Sequence, residues 1–152
     1  MKTLILTLGL LIAAGCGGDG DDSGHDADHS TMDTLPDDFD DATELATDNG
    51  SYFVSYASDP SPLPYHDYFD LTISVHSADQ SSLVADAQLA ADAIMPAHGH
   101  GMNTEPVVTA SGDGTFLVEG MLFHMQGYWQ LIVDVDGPDG ADSVTFEIDC
   151  CE

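Results

Sequence analysis

Basic residues are almost absent from this sequence. Its 152 residues include 28 aspartates and glutamates but a single lysine, Lys2, and no arginine. Proteins bind nucleic acids and anionic lipids largely through lysine and arginine, which neutralise phosphates and release counterions. The composition therefore excludes a nucleic-acid-binding protein. Such acidity fits either a high-salt environment, where salt screens self-repulsion, or an affinity for cations.

Long hydrophobic stretches are also missing. The apolar run from Leu4 to Ala14 is too short to span a bilayer as a stable helix. It has the length and position of the apolar core of a secretory signal, and residues 11–16 (LIAAGC) resemble a bacterial lipobox. We therefore expect a signal peptide over residues 1–15, cleavage before Cys16, and attachment to a bacterial membrane through lipid on Cys16. The mature domain would face the periplasm or the exterior.

Large apolar residues are scarce between the lipobox and residue 50. Aspartate, glycine, serine and threonine dominate this part of the chain. It cannot bury enough surface to offset the entropy of ordering, so residues 16–50 are predicted to form a disordered acidic tether. His25 and His29 in the tether could chelate a cation weakly, although a solvated polar linker explains them better.

From Ser51 onward, short β-type segments alternate with turn residues, which predicts a domain over residues 51–152. Trp129, Leu131 and Val133 alternate with polar or smaller neighbours and should face a core. No convincing helical period appears. The pattern predicts an all-β fold, an immunoglobulin-like antiparallel β-sandwich of about seven strands. The candidate strands are residues 51–57, 69–76, 83–95, 106–110, 115–122, 127–135 and 143–148.

Histidine and methionine are concentrated in two segments, residues 95–102 (MPAHGHGM) and 121–125 (MLFHM). In an extended chain alternate side chains share a face, so His98, His100 and Met102 of the first segment would project to the same side. Imidazole and thioether form a soft ligand set suited to copper. The predicted metal ligands are His98, His100, Met102, His124 and Met125.

Two alternatives to this metal site remain open at the level of sequence. The histidines could hydrogen-bond to carbonyl groups and hold a loop, while the methionines fill the core. In addition, His124 and Met125 are adjacent and would face opposite ways in a regular strand, so at most one of them should join a shared site. A metal site requires the two segments to be neighbours in the fold.

Cys150 and Cys151 are the two cysteines that remain if Cys16 is lipidated. In an oxidising compartment they could form a vicinal disulfide, pair between molecules, or act as soft ligands. Their terminal position favours a minor structural role.

The segment from Asp134 to Asp142 invites comparison with a calcium loop. Its sixth position is Asp139, where an EF-hand has glycine, so a hairpin turn explains it better. The sequence also lacks a nucleophile elbow, a phosphate-binding glycine loop and a zinc-protease helix. We therefore expect a binding protein rather than an enzyme.

Three segments resemble the YtkA-like domain family: residues 90–101 (AADAIMPAHGHG), 112–116 (GDGTF) and 120–129 (GMLFHMQGYW). The family has an MP-x-H-G-H-G segment, a glycine turn before a strand, and a closing F-x-M-x-G-x-W strand. The matching positions are Met95, Pro96, His98, Gly99, His100, Gly101, Phe123, Met125, Gly127 and Trp129. The acidic tether and the terminal cysteine pair fall outside the pattern.

This resemblance covers about residues 51–149 and implies an immunoglobulin-like sandwich in an exported or membrane-attached protein with no known enzymatic activity. Related domains occur beside copper-handling and respiratory-oxidase assembly proteins. The sequence is thus interpreted as a lipid-anchored protein that binds or delivers copper, with a copper-handling or envelope protein as partner. The alternative is a structural interaction module of the cell envelope that binds no metal.

Overall fold

The computed structural model describes residues 34–151, and all regular structure in that range is β-strand. The signal peptide, Cys16, His25 and His29 lie outside the described residues. The nine strands are β1 (Glu44–Ala46), β2 (Tyr52–Asp59), β3 (Tyr68–Ser77), β4 (Gln88–Met95), β5 (His100–Gly101), β6 (Val107–Ala110), β7 (Thr115–Leu122), β8 (Gly127–Gly137) and β9 (Gly140–Cys150). No helix between residues 34 and 151 is long and apolar enough to cross a membrane.

The strands form two antiparallel sheets, which confirms the predicted all-β sandwich. One sheet has the order β1-β2-β3-β7-β6, and the other has the order β5-β4-β8-β9. Each of the seven candidate strands corresponds to an observed strand. The two additional strands, β1 and β5, are only three and two residues long. Segments that short carry no readable period, and only their pairing with a neighbour defines them as strands.

Alternating side chains of both sheets fill the space between them. In β8, Trp129, Leu131 and Val133 are fully buried, as the alternation predicted. In β3, the same pattern buries Phe69, Leu71, Ile73 and Val75. Burying one large apolar side chain contributes about 1.5–3 kcal/mol. The inward faces of these two central strands therefore account for much of the stability of the sandwich.

The ordered domain begins before residue 51, which differs from the predicted boundary of the tether. Glu44–Ala46 pairs with β2 as strand β1. Thr47 is buried, and its hydroxyl donates a 2.7 Å hydrogen bond to Asp142 on β9. Leu45 also packs against the core. Composition alone predicted disorder here, because this segment has few apolar residues. Leu45 is partly buried through contacts with strands that lie later in the chain.

Candidate metal centre

The two histidine-bearing segments meet at one end of the sandwich. Met95 pairs with His100 where β4 turns into β5, and Ile94 also pairs with Gln130 near the start of β8. In the opposite sheet, Tyr68 pairs with Leu122 where β7 ends. The turn after β4 and the segment after β7 are close in space although they belong to different sheets, since the His100 and His124 rings are neighbours. This is the arrangement that a shared site requires.

His98 and His100 are positioned by a tight turn between β4 and β5. The backbone N–H groups of His98 and Gly99 both donate to the carbonyl of Met95, at 3.1 and 3.0 Å. Gly99 has φ of 66°, a left-handed conformation that side chains with a Cβ adopt reluctantly. The turn brings the His98 and His100 rings to a centroid distance of 5.7 Å. Both side chains are exposed.

His124 is held between two anchored neighbours. Phe123 is fully buried and stacks on Trp129, with ring centroids 4.6 Å apart. On the other side, the Trp129 indole N–H donates a 3.0 Å hydrogen bond to the carbonyl of Met125. The His124 ring then lies 5.2 Å from the His100 ring and 5.6 Å from the Trp129 ring, centroid to centroid.

These spacings are compatible with imidazoles that share a metal ion. Two rings bound through nitrogens about 2.0–2.1 Å from a metal have centroids roughly 4.5–6 Å apart. The two neighbouring pairs, at 5.7 and 5.2 Å, fall in that interval. Within residues 34–151, however, no three His, Cys, Asp or Glu side chains already converge as a group that could hold a metal ion. Binding would require the exposed rings to rotate, which surface side chains do within nanoseconds.

His124 has an unsatisfied nitrogen, which favours a ligand role. Its Nδ1 is buried and has no hydrogen-bond partner. A buried polar atom without a partner is costly and uncommon in folded proteins. Burial lowers the pKa of His124 below its ordinary value, and the nearby charges of His100 and His66 lower it further. A lowered pKa favours the neutral ring, which is the form that binds metals.

The two predicted thioether ligands make contacts of a different kind. Met102 and Met125 are both partly buried and pack against the hydrophobic core. The Met102 backbone N–H donates to the carbonyl of Ala93 at 3.1 Å, which continues the pairing of β4 with β5. The backbone carbonyl of Met125 accepts the hydrogen bond from the Trp129 indole N–H. The described contacts thus group the three predicted histidines and attach both methionines to the core.

Sequence reasoning missed His66, which lies in the proline-rich connection between β2 and β3. Its Nδ1 is 3.2 Å from the carbonyl oxygen of His124. No other histidine or methionine is near it in the sequence, so local spacing gave no signal. The one available indication was its position two residues before β3, at the end of the sheet where β7 finishes.

Cys150 and Cys151 form a vicinal disulfide, one of the three alternatives left open by the sequence. The disulfide lies at the same end of the sandwich, because Cys150 pairs with Gly127. The Gln126 side-chain amide donates a 2.8 Å hydrogen bond to the carbonyl of Cys151. The pair therefore closes the end of β9 against the segment after β7, consistent with a structural role.

The acidic segment from Asp134 to Asp142 is the β8–β9 hairpin, with Gly137 paired to Gly140. Asp142, its last residue, is buried. The Asp142 carboxylate accepts hydrogen bonds from the Thr47 hydroxyl at 2.7 Å and the Ser51 N–H at 3.1 Å. Protein donors thus occupy this carboxylate, and the turn interpretation accounts for the segment.

Residues 67–134 match the family model described as YtkA-like, which confirms the resemblance predicted from the sequence. The match includes His98, His100 and His124 and begins one residue after His66. No curated protein matches the sequence. Among solved structures, a copper-bound variant of FetP from a uropathogenic Escherichia coli strain is similar, with a TM-score of 0.52, 7% sequence identity, and coverage of 74% of this chain and 92% of that chain. At that identity the likeness shows the fold alone.

Proposed function

We propose that this YtkA-like protein binds copper where His98, His100 and His124 meet, and that it does so as an exported lipoprotein anchored through Cys16. The observation that carries the proposal is the buried, unpartnered Nδ1 of His124 beside the rings of two further histidines. A loop-holding role for His124 would satisfy that nitrogen with a hydrogen bond. The alternative of a purely structural histidine cluster leaves it unexplained.

The chemistry of the site favours binding and transfer over catalysis. Imidazole nitrogen is a good ligand for copper, and Cu²⁺ has the highest affinity among the divalent first-row metals for such ligands. His98 and His100 are exposed, so an incoming ion or a partner protein can reach them from solvent. The excess of carboxylates over basic residues raises the local concentration of cations at the surface. These features suit a carrier that exchanges copper with a copper-handling or envelope protein.

Trp129 is the single tryptophan of the chain and provides a built-in reporter. Its ring lies 5.6 Å from the His124 ring and 6.4 Å from the His100 ring. A paramagnetic Cu(II) ion held by these histidines should quench the tryptophan fluorescence strongly. Loosely held copper on distant carboxylates should quench it much less.

The experiment is a Cu(II) titration of the full chain in a His25→Ala/His29→Ala background, which removes the tether histidines. The protein with an intact site is compared with the variants His98→Ala, His100→Ala and His124→Ala. Binding is followed by calorimetry and by Trp129 fluorescence. His76→Ala is the matched control, because His76 lies toward the opposite end of β3. We expect each site variant to weaken binding at least about tenfold and His76→Ala to bind normally, since removal of even an outer-shell partner typically costs 10–100-fold.

Equal, weak binding by all of these proteins, with no quenching of Trp129, would contradict the proposal. The interaction module of the cell envelope that binds no metal would then be the better account. If His100→Ala and His124→Ala lose binding but His98→Ala retains it, the proposal stands and the site is confined to His100 and His124.

A further inference from the structure

His66 belongs to the same end of the molecule as the proposed copper site. It lies between β2 and β3 and is exposed. Its backbone N–H donates a 3.1 Å hydrogen bond to the carbonyl of Phe123, the residue that stacks on Trp129. The connection that carries His66 is therefore attached directly to the segment that carries His124.

The backbone of His66 is held in an uncommon conformation. Its φ is 58°, and His66 is one of two non-glycine residues between 34 and 151 with a positive φ. Such a conformation is strained for a residue with a side chain and persists only where the surrounding contacts impose it. Here the backbone contact with Phe123 and the ring contact with the His124 carbonyl hold His66 against the segment that carries His124.

The hydrogen bond of the His66 ring determines its tautomer. A carbonyl oxygen only accepts, so the His66 Nδ1 that lies 3.2 Å from the His124 oxygen must carry the proton. In the neutral tautomer with this hydrogen bond, Nε2 carries the lone pair that can bind a metal. The same holds for His100, whose Nδ1 is 3.1 Å from the carbonyl oxygen of Gly101. Metal-ligating histidines usually donate their other ring N–H in this way, which fixes ring orientation and raises ligand basicity.

We infer that His66 is a further ligand of the copper site proposed above, binding through Nε2, and that the ligand set is built from imidazoles. The inference rests on the proposed function. It extends that function by naming a ligand outside the YtkA-like match and by giving the site a nitrogen-rich set in place of thioethers. An imidazole set of this kind selects Cu(II) more strongly than a His/Met set does.

Two substitutions at one position separate ligation from positioning. In His66→Asn, the side-chain amide can still donate to the His124 carbonyl, and asparagine tolerates a positive φ better than most residues. It cannot supply an imidazole Nε2. His66→Ala removes both the ligand and the donor. Both variants are made in the full chain with His25→Ala/His29→Ala.

Cu(II) alone is titrated into these variants, and electron paramagnetic resonance of the loaded proteins reports the number of coordinated nitrogens. We expect His66→Asn to unfold at the wild-type urea midpoint, to bind Cu(II) at least about tenfold more weakly, and to lose one nitrogen from the hyperfine pattern. Zn(II) supplies a diamagnetic second readout, since the His66 Nε2 resonance should shift on binding.

If His66→Asn binds with wild-type affinity and an unchanged spectrum, His66 is not a ligand and the inference fails. The inference also fails if only His66→Ala weakens binding, since His66 would then act by holding the His124 carbonyl. The proposed function survives both results as long as His100→Ala and His124→Ala still lose copper. Its own failure is recognised separately, by copper binding that none of the histidine substitutions alters.

Discussion

Trp129 connects the hydrophobic core to the histidine cluster. Its ring is fully buried, stacks on Phe123, and donates through Nε1 to the Met125 carbonyl. His124 lies between these two attachment points. The same side chain therefore stabilises the sandwich and fixes the segment that carries the central ligand of the proposed site.

Replacing Trp129 with phenylalanine should weaken that segment more than the core. The aromatic contact with Phe123 is largely retained, but the Met125 carbonyl loses its donor, which costs about 1–3 kcal/mol when the group stays buried. We expect a moderately lower urea midpoint and a several-fold weaker affinity for Cu(II) by calorimetry. Phe146→Leu is the control, since Phe146 packs on Tyr56. An equal loss of copper affinity in the control would contradict a specific role for the indole N–H.

At the scale of single residues, the sequence predicted which histidines form the cluster but did not predict all of their neighbours. His98, His100 and His124 were predicted as one group from two clusters, and their rings are neighbours. His66 was not predicted, because its place beside His124 depends on how the β2–β3 connection meets the end of β7. Contacts of this kind arise from the packing of two sheets, and no local period encodes them.

The segment between β1 and β2 is held by a carboxylate from β9. Asp142 on β9 accepts hydrogen bonds from the Thr47 hydroxyl, the Ser51 N–H and the Asn49 side-chain amide. Burial alone would raise the pKa of Asp142, but these donors, together with its neighbouring backbone N–H groups, outweigh burial and hold the pKa well below its usual range. Through this network β9 orders the segment between β1 and β2.

A pH-dependent stability difference should follow for Asp142→Asn. Because the folded-state pKa lies below the unfolded value of about 3.9, the carboxylate stabilises the fold fully above that value and progressively less as pH falls below it. We expect a clearly lower urea midpoint for the variant at pH 7 and a shrinking difference from wild type towards pH 2. Asp136→Asn, on the exposed side of β8, removes the same charge and controls for relief of self-repulsion. A difference that stays constant with pH would refute this account.

The long strands were predictable from sequence because their alternating side chains report burial directly. β3 and β8 have ten and eleven residues, and their inward sets were correct. β1 and β5 were missed, since three and two residues cannot establish a period. The start of the domain was misplaced for the same reason: Leu45 and Thr47 are ordered by β2 and β9, which lie later in the chain.

The acidity of the whole molecule limits how the proposed lipoprotein could be held at a membrane. Cleavage before Cys16 would remove Lys2, the single basic residue, while all 28 acidic residues remain. Anionic headgroups would repel such a chain, so electrostatic attachment is unfavourable. In the proposed lipoprotein, stable anchoring would come from acyl chains, each buried methylene contributing about 0.8 kcal/mol. Two chains suffice where one is marginal.

Replacing Cys16 with serine tests this account of attachment. We expect the wild-type chain to remain in the membrane fraction through washes at low and high salt, because salt screens charge but leaves acyl insertion intact. Cys16→Ser should appear in the soluble exported fraction or accumulate unprocessed, and Cys150→Ser/Cys151→Ser should fractionate like wild type. The Cys16→Ser domain should still bind Cu(II) with quenching of Trp129, since His98, His100 and His124 lie in the folded sandwich. Wild-type protein released by salt, or Cys16→Ser retained in the membrane, would show that lipid on Cys16 is not the anchor.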